Sequence, residues 1–263
     1  MDVAQLKLTK TAVMLIALVL LYLLEMVFPF YLDRKGKFAH GVRNLGLGLF
    51  NAVVIAVLFT SSVFMAERWS FTQQYGILNV VELPLLMKII LMILLFDLWM
   101  YVWHVANHKI PLLWRFHRVH HSDDQVDVTS ALRFHTGEIV LSTVARLGII
   151  AILGLRIWHI ILYEIFLLPV IMFHHSNVAF PERWDKLYRI IFVSPHMHWG
   201  HHSDIPVETD SNYSSIFSWW DRIFATYRLR EDPHTIHQGL KQFRDQKWNQ
   251  FVGMLVTPFL KKK

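Results

Sequence analysis

Histidines are the residues of this sequence best placed to do chemistry. Of sixteen in 263 residues, eleven fall in three short stretches, residues 104–121, 174–175 and 196–202. In Trp103-His104-Val105-Ala106-Asn107-His108 two imidazoles stand four apart, which on a helix puts them one above the other on a single face. His117-Arg118-Val119-His120-His121 and His198-Trp199-Gly200-His201-His202 each show the i, i+3, i+4 spacing that lets three rings leave one face. His175, in His174-His175-Ser176-Asn177, makes a ninth convergent imidazole. A tetrahedral zinc site uses about four ligands, so nine suffice for two metal ions. His174 and His196 stand beside these clusters and can be read either way. His40, His159, His234 and His237 stand apart and are read as surface or packing residues.

What is missing narrows the chemistry. There is no cysteine, so any metal is held by nitrogen and oxygen. A zinc peptidase needs Glu directly after the first His of its helix pair, and Val105 stands there. A ferritin-type di-iron site needs paired Glu-x-x-His motifs. The one match, Glu231-Asp232-Pro233-His234, is solitary and broken by proline. Imidazole suits zinc, copper, iron and nickel alike, so ligand type leaves the metal open.

The elements that must position these rings are apolar. The chain is 54% hydrophobic and only 17% charged, against a globular norm of about 25%. Thr11 to Phe30, broken only by Glu25 and Pro29, is long enough to span a bilayer, and no small-residue cleavage site follows it. Leu45 to Ala66 and Val80 to Trp103 are two further spans. Ile139–Leu155 and Ile157–Phe173, separated by Arg156, read as a helical hairpin that enters the membrane and returns. Arg34, Lys35, Lys37 and Arg43 make the first loop cytoplasmic by the positive-inside rule, which brings all three histidine stretches to the cytoplasmic side. The net charge of +6 fits anionic lipid headgroups better than nucleic acid, and no nucleic-acid partner is expected. The expectation is one all-α membrane domain over residues 1–263. Residues 1–103 are mainly transmembrane, as three spanning helices. Residues 139–173 are the hairpin, and 104–138 and 174–250 form a cytoplasmic histidine-rich cap.

From Asp97 to Tyr227 the sequence resembles the fatty acid hydroxylase superfamily, also called the sterol desaturase family, and its bacterial members most closely. The resemblance runs through Asp97-Leu98-Trp99-Met100-Tyr101-Val102-Trp103-His104, Pro111 to Asp123, Arg133-Phe134-His135 with Glu138, His175-Ser176-Asn177, Ser194-Pro195, His198 to His202, Asn212-Tyr213 and Trp220 to Phe224. It implies an integral membrane non-haem di-iron oxygenase, in a bacterial inner membrane, that uses O2 to hydroxylate, less often to desaturate, a C–H bond of a membrane lipid. His104, His108, His117, His120, His121, His175, His198, His201 and His202 match the ligand motifs for two iron ions, with His135 a possible tenth. The chain departs from the family pattern at His174, where Gln or Asn is usual, at Thr136, where Pro is common, and in the extra His196.

Asp97 is seven residues before His104, with Tyr101 between them on one helical face. A carboxylate at that depth is expensive: it either orients a liganding ring by accepting its other N–H or, as an interfacial Asp, bonds a neighbouring Tyr or Trp. Asn212, Asp123, Asp127, Glu138 and Asp221 are candidates for the same task. Trp219 and Trp220 read as an interfacial aromatic belt. No Gly-x-Gly-x-x-Gly fingerprint and no cysteine is present to carry electrons, so a separate donor is expected, a ferredoxin or a small cytochrome with its reductase. A membrane metal transporter would place ionisable groups along several spans, whereas here the histidines gather at one end. A bis-histidine haem protein would need facing histidines deep in two spans, which are missing.

Overall fold

In a computed structural model, residues 2–260 are described, and all their regular elements are helical. Five helices are long and apolar enough to cross a membrane: α1 (Val3–Val27), α2 (Lys37–Thr72), α3 (Leu85–Lys109), α5 (Thr136–Leu153) and α6 (Ile157–His175). Between and after them lie the short helices α4 (Pro111–His121), α7 (Glu182–Tyr188) and α8 (Pro195–His201). α1 and α2 expose many large apolar side chains, as segments facing hydrocarbon do, whereas those of α3, α5 and α6 are mostly half-buried or buried in the bundle. α1 packs against α6, α2 against α5, and α3 touches α4, α5 and α6.

The boundaries have local causes. α3 begins after Pro84 rather than at Val80, because residues 81–84 are extended. It ends where Ile110, held extended by the following Pro111, cannot continue a helix, and Pro111 then opens α4 from its first position. A single residue thus separates the two helices, and the bend folds His117, His120 and His121 back over His104 and His108. At the hairpin, α5 stops at Gly154 in the left-handed conformation (φ +72°), which a side chain would strain. α2 is longer than the expected 45–66: its 36 residues rise about 54 Å, more than a bilayer core of about 30 Å. Its first turns lie within the polar layer, since His40 and Asn44 bond to residues of the 123–129 loop.

The ends of the bundle are well defined by contacts. At one end, Glu67 near the end of α2 accepts from Arg156 in the hairpin turn (3.2 Å). At the other, the Glu25 carboxylate of α1 accepts from the backbone N–H of Val128 (2.8 Å) and of Asn177 (2.7 Å) and pairs with Lys37 (2.9 Å). The C-terminal ends of α1, α3 and α6 and the starts of α2 and α5 therefore meet in one polar layer, and that layer contains the clustered histidines.

Candidate metal centre

The nine imidazoles singled out by spacing gather into two buried groups. His104, His108, His117, His121 and His201 offer ring nitrogens all within 4.8 Å of one another, and so do His120, His175, His198 and His202. The groups adjoin: the His121 and His202 rings stack with centroids 4.6 Å apart. Within the first, His104 Nε2 lies 3.2 Å from His117 Nε2 and 3.0 Å from His201 Nε2. Within the second, His175 Nε2 lies 3.1 Å from His120 Nε2 and 2.9 Å from His198 Nε2, which is 3.1 Å from His202 Nε2.

The outward nitrogens explain why the Nε2 atoms face inward. The Nδ1–H of His104 donates to the Tyr213 carbonyl (2.8 Å), that of His201 to Ser211 (2.6 Å), that of His175 to Ile171 (2.7 Å) and that of His120 to Arg133 (3.2 Å). His117 Nδ1 donates to the Glu138 carboxylate (2.8 Å). Each such bond fixes the tautomer that leaves a lone pair on Nε2. Facing lone pairs about 3 Å apart repel unless a cation lies between them. At a metal–nitrogen distance of about 2.1 Å, ligands about 90° apart are separated by about 3.0 Å, which matches these contacts. His108 and His121 are buried with neither ring nitrogen hydrogen-bonded, a cost that coordination removes. Burial, reinforced by neighbouring imidazoles, pushes His120, His121, His198, His201 and His202 well below the ordinary histidine value, so they are neutral and ligand-competent. The donor set fits a pair of borderline divalent metals such as iron or zinc.

Other expectations are corrected here. Asp97 accepts from no imidazole. It takes the Tyr163 hydroxyl (2.7 Å), the Trp220 indole N–H (2.9 Å) and the backbone N–H of Ile216 and Phe217 (3.2 Å each). It therefore ties the 214–220 loop to the bundle, and Trp220 serves that anchor rather than an aromatic belt. Asn212, at φ +53°, donates to the carbonyls of Met197 (2.9 Å) and Arg228, and accepts from Arg228 N–H (2.9 Å). Its amide thus ties α8 to the backbone at Arg228. His135 lies outside both groups: its Nδ1 accepts from Gly137 N–H (2.8 Å) as the N-cap of α5, and its Nε2–H donates to Leu255 (3.1 Å). The His174 ring lies tilted against His198, centroids 4.0 Å apart, but contributes to neither group. His196 instead sits by Glu182 and Asp185, both of which pair with Arg189.

Spacing also missed two supports. Of the two readings for His40, surface or packing, burial leaves the second, with Nε2 2.9 Å from Asp123 and Nδ1 3.0 Å from Asp127. Burial alone would raise the Asp123 carboxyl, but His40 and Arg133 hold it well below the usual range. Arg133, fully buried, donates to the Val119 carbonyl, Asn44, Ser122 and Asn249, and the next residue, Phe134, stacks on His120 at 4.5 Å. Its place directly before Phe134-His135 was the one available signal. Glu25 was visible only as a break in an apolar run.

A cavity of about 180 Å³ opens between α3, α5 and α6 onto both groups. Its wall includes His104, His117, His120, His175 and His198 at one end and Met100, Leu167 and Ile171 further in. An apolar passage between membrane helices thus ends on the imidazoles.

With this geometry established, comparison with known proteins identifies the class. Residues 89–226 match the model of the fatty acid hydroxylase family, and this chain belongs to that family. It is 25% identical over 179 residues to an ornithine lipid hydroxylase of Rhizobium tropici, covering 68% of this chain and 52% of that protein. Over 153 residues it is 27% identical to the cholesterol 25-hydroxylase of Homo sapiens, covering 57% and 55% respectively. An alkylglycerol monooxygenase of Danio rerio is 28% identical over 141 residues, 52% of this chain and 29% of that one. The chain spans about half the length of the hydroxylases it matches. No solved structure matches it.

Proposed function

We propose that this protein is a membrane di-iron oxygenase that hydroxylates a C–H bond of a lipid. The observation that carries the reading is the pair of buried imidazole groups, five and four rings, at the end of an apolar cavity between long apolar helices. His104, His108, His117, His121 and His201 would hold one iron, and His120, His175, His198 and His202 the other. The metal pair, when bound, supplies the redox chemistry with O2. Overall, R–H, O2, two electrons and two protons give R–OH and water.

This chain's own residues supply position and dryness. The carbonyls of Tyr213, Ser211, Ile171 and Arg133 and the Glu138 carboxylate orient the rings. Asp97, Asn212 and His135 position loops and helix starts and do not touch the reacting atoms. The apolar wall admits an alkyl segment and O2 from the hydrocarbon while excluding bulk water. Electrons come from a separate donor, a ferredoxin or small cytochrome. The basic 34–43 segment supports a histidine layer that faces the cytoplasm, and the likeness to a bacterial hydroxylase supports a bacterial inner membrane. Hydroxylation is favoured over desaturation by the relatives' names, each a hydroxylase or monooxygenase.

The test is expression in a lipid-producing host under isotopically labelled O2, followed by lipid analysis. One labelled oxygen in a lipid that appears with the wild type and not with a His120→Ala/His121→Ala variant is the expected result. An unchanged lipid profile in a host supplying both ferredoxin and cytochrome donors contradicts it.

A further inference from the structure

The cavity contains one cation that the oxygen chemistry does not use. Arg146 lies mid-way along α5, eight residues past Glu138 and so about 12 Å along the helix axis from the carboxylate that bonds His117. Its side chain lines the same cavity as the imidazoles. The nearest carboxylate is Glu164 of α6, with Oε1 3.6 Å from Arg146 Nη1, too far for a hydrogen bond, and Arg146 Nε is buried without a partner. Glu164 is already engaged: its Oε2 accepts from Lys10 of α1 at 2.9 Å. Two cations thus share one carboxylate at membrane depth. Asp97, the other carboxylate at a comparable level, is occupied by the four donors described above. An ionic group within a membrane bundle is costly unless paired, and the excess positive charge here faces the cavity.

We propose that Arg146 is a specificity-determining residue that binds an anionic group of the lipid, a carboxylate above all, and thereby sets which part of the chain reaches the metal end. A guanidinium fits a carboxylate in a forked, two-bond geometry. The helical Cα–Cβ direction tilts Arg146 toward the N-terminal end of α5, where the imidazoles are, so the chain segment between anion and oxidised carbon spans no more than about 12 Å. A volume of about 180 Å³ is below the roughly 300–1,000 Å³ of ordinary ligand pockets, and suits a slender chain better than fused rings. The inference deepens the oxygenase reading and rests on it for the identity of the cavity.

The test reads binding rather than turnover. Purified protein in mild detergent is photolabelled with a diazirine-bearing fatty acid at mildly alkaline pH, and hexadecanoic acid and hexadecanol compete for the label. The wild type is expected to prefer the acid by at least about tenfold, the scale of one hydrogen-bonded charge pair. Arg146→Gln removes the preference, Arg146→Lys keeps a part of it, and Glu164→Gln, which leaves both cations without their carboxylate, increases it. Equal competition by acid and alcohol in the wild type, or a preference that survives Arg146→Gln, overturns the proposal. Should Arg146→Gln fail to fold, a Glu164→Gln variant with no gain in preference overturns it equally. Absence of any hydroxylated product with the acid preference intact counts against the oxygenase and not against Arg146.

Discussion

At Glu138 a single carboxylate oxygen decides the character of a proposed ligand, because it accepts from His117 Nδ1 and leaves the other nitrogen free to face its neighbours. A Glu138→Gln change keeps an acceptor of similar shape and removes its charge. Metal affinity in chelator competition is expected to fall about 10–100-fold, the usual cost of losing such a partner. Unchanged competition would mean that His117 needs no charged support. The nine rings were legible because i, i+3, i+4 spacing is itself a statement about a helix face. Their supports were not. Carbonyl acceptors such as Tyr213 and Ser211 depend on loop paths that no side-chain pattern records, and His40 looked isolated because its partners, Asp123 and Asp127, lie more than eighty residues away.

Among elements, the α3–α4 bend and the capped start of α5 bring the rings together. His135 caps α5 with a neutral Nδ1, and burial holds its pKa below the ordinary 6.5. His135→Ala should cost about 1 kcal/mol of stability, and His135→Asn, a good cap, much less, with metal content unchanged in both. Loss of metal in both variants would instead make His135 a ligand. The sign with pH follows from the lowered value. The unfolded chain takes up this proton first, so the cap's contribution is complete above about pH 6.5 and is lost as pH falls through the lower folded value. The stability gap between wild type and His135→Ala should therefore narrow in acid, and a gap constant with pH would contradict the neutral cap.

Asp97 acts at the same scale, across two helices and a loop. Asp97→Ala leaves the Tyr163 and Trp220 donors and two backbone N–H groups without their acceptor, and should destabilise by roughly 3 kcal/mol or more, since each unmet buried donor costs about 1–3 kcal/mol. Thermal unfolding in detergent checks this, and a shift of a degree or less would contradict the anchoring role. The five long helices were expected from apolar runs, whereas their ends were displaced by several residues. Hydropathy reports the lipid-facing stretch and is silent on polar turns such as 37–44, which continue α2 into the histidine layer.

Across the whole molecule, the distribution of apolar surface gives the helices an outer face suited to lipid, and the clustered histidines gather at one end. In the proposed oxygenase that placement would let a membrane-borne chain reach imidazoles otherwise buried from water, with electrons supplied by a separate donor. Sustained hydroxylation with NADPH alone and no added redox protein would contradict the separate donor, whereas dependence on an added ferredoxin or cytochrome is expected.

The most direct measurement is metal content, iron and zinc determined separately, on protein purified in mild detergent from iron-replete cells beside the His120→Ala/His121→Ala variant. About two irons per chain are expected in the wild type, as nine imidazoles in groups of five and four can hold, and their loss in the variant. A single zinc per chain, or metal that persists without these two histidines, would contradict the di-iron reading.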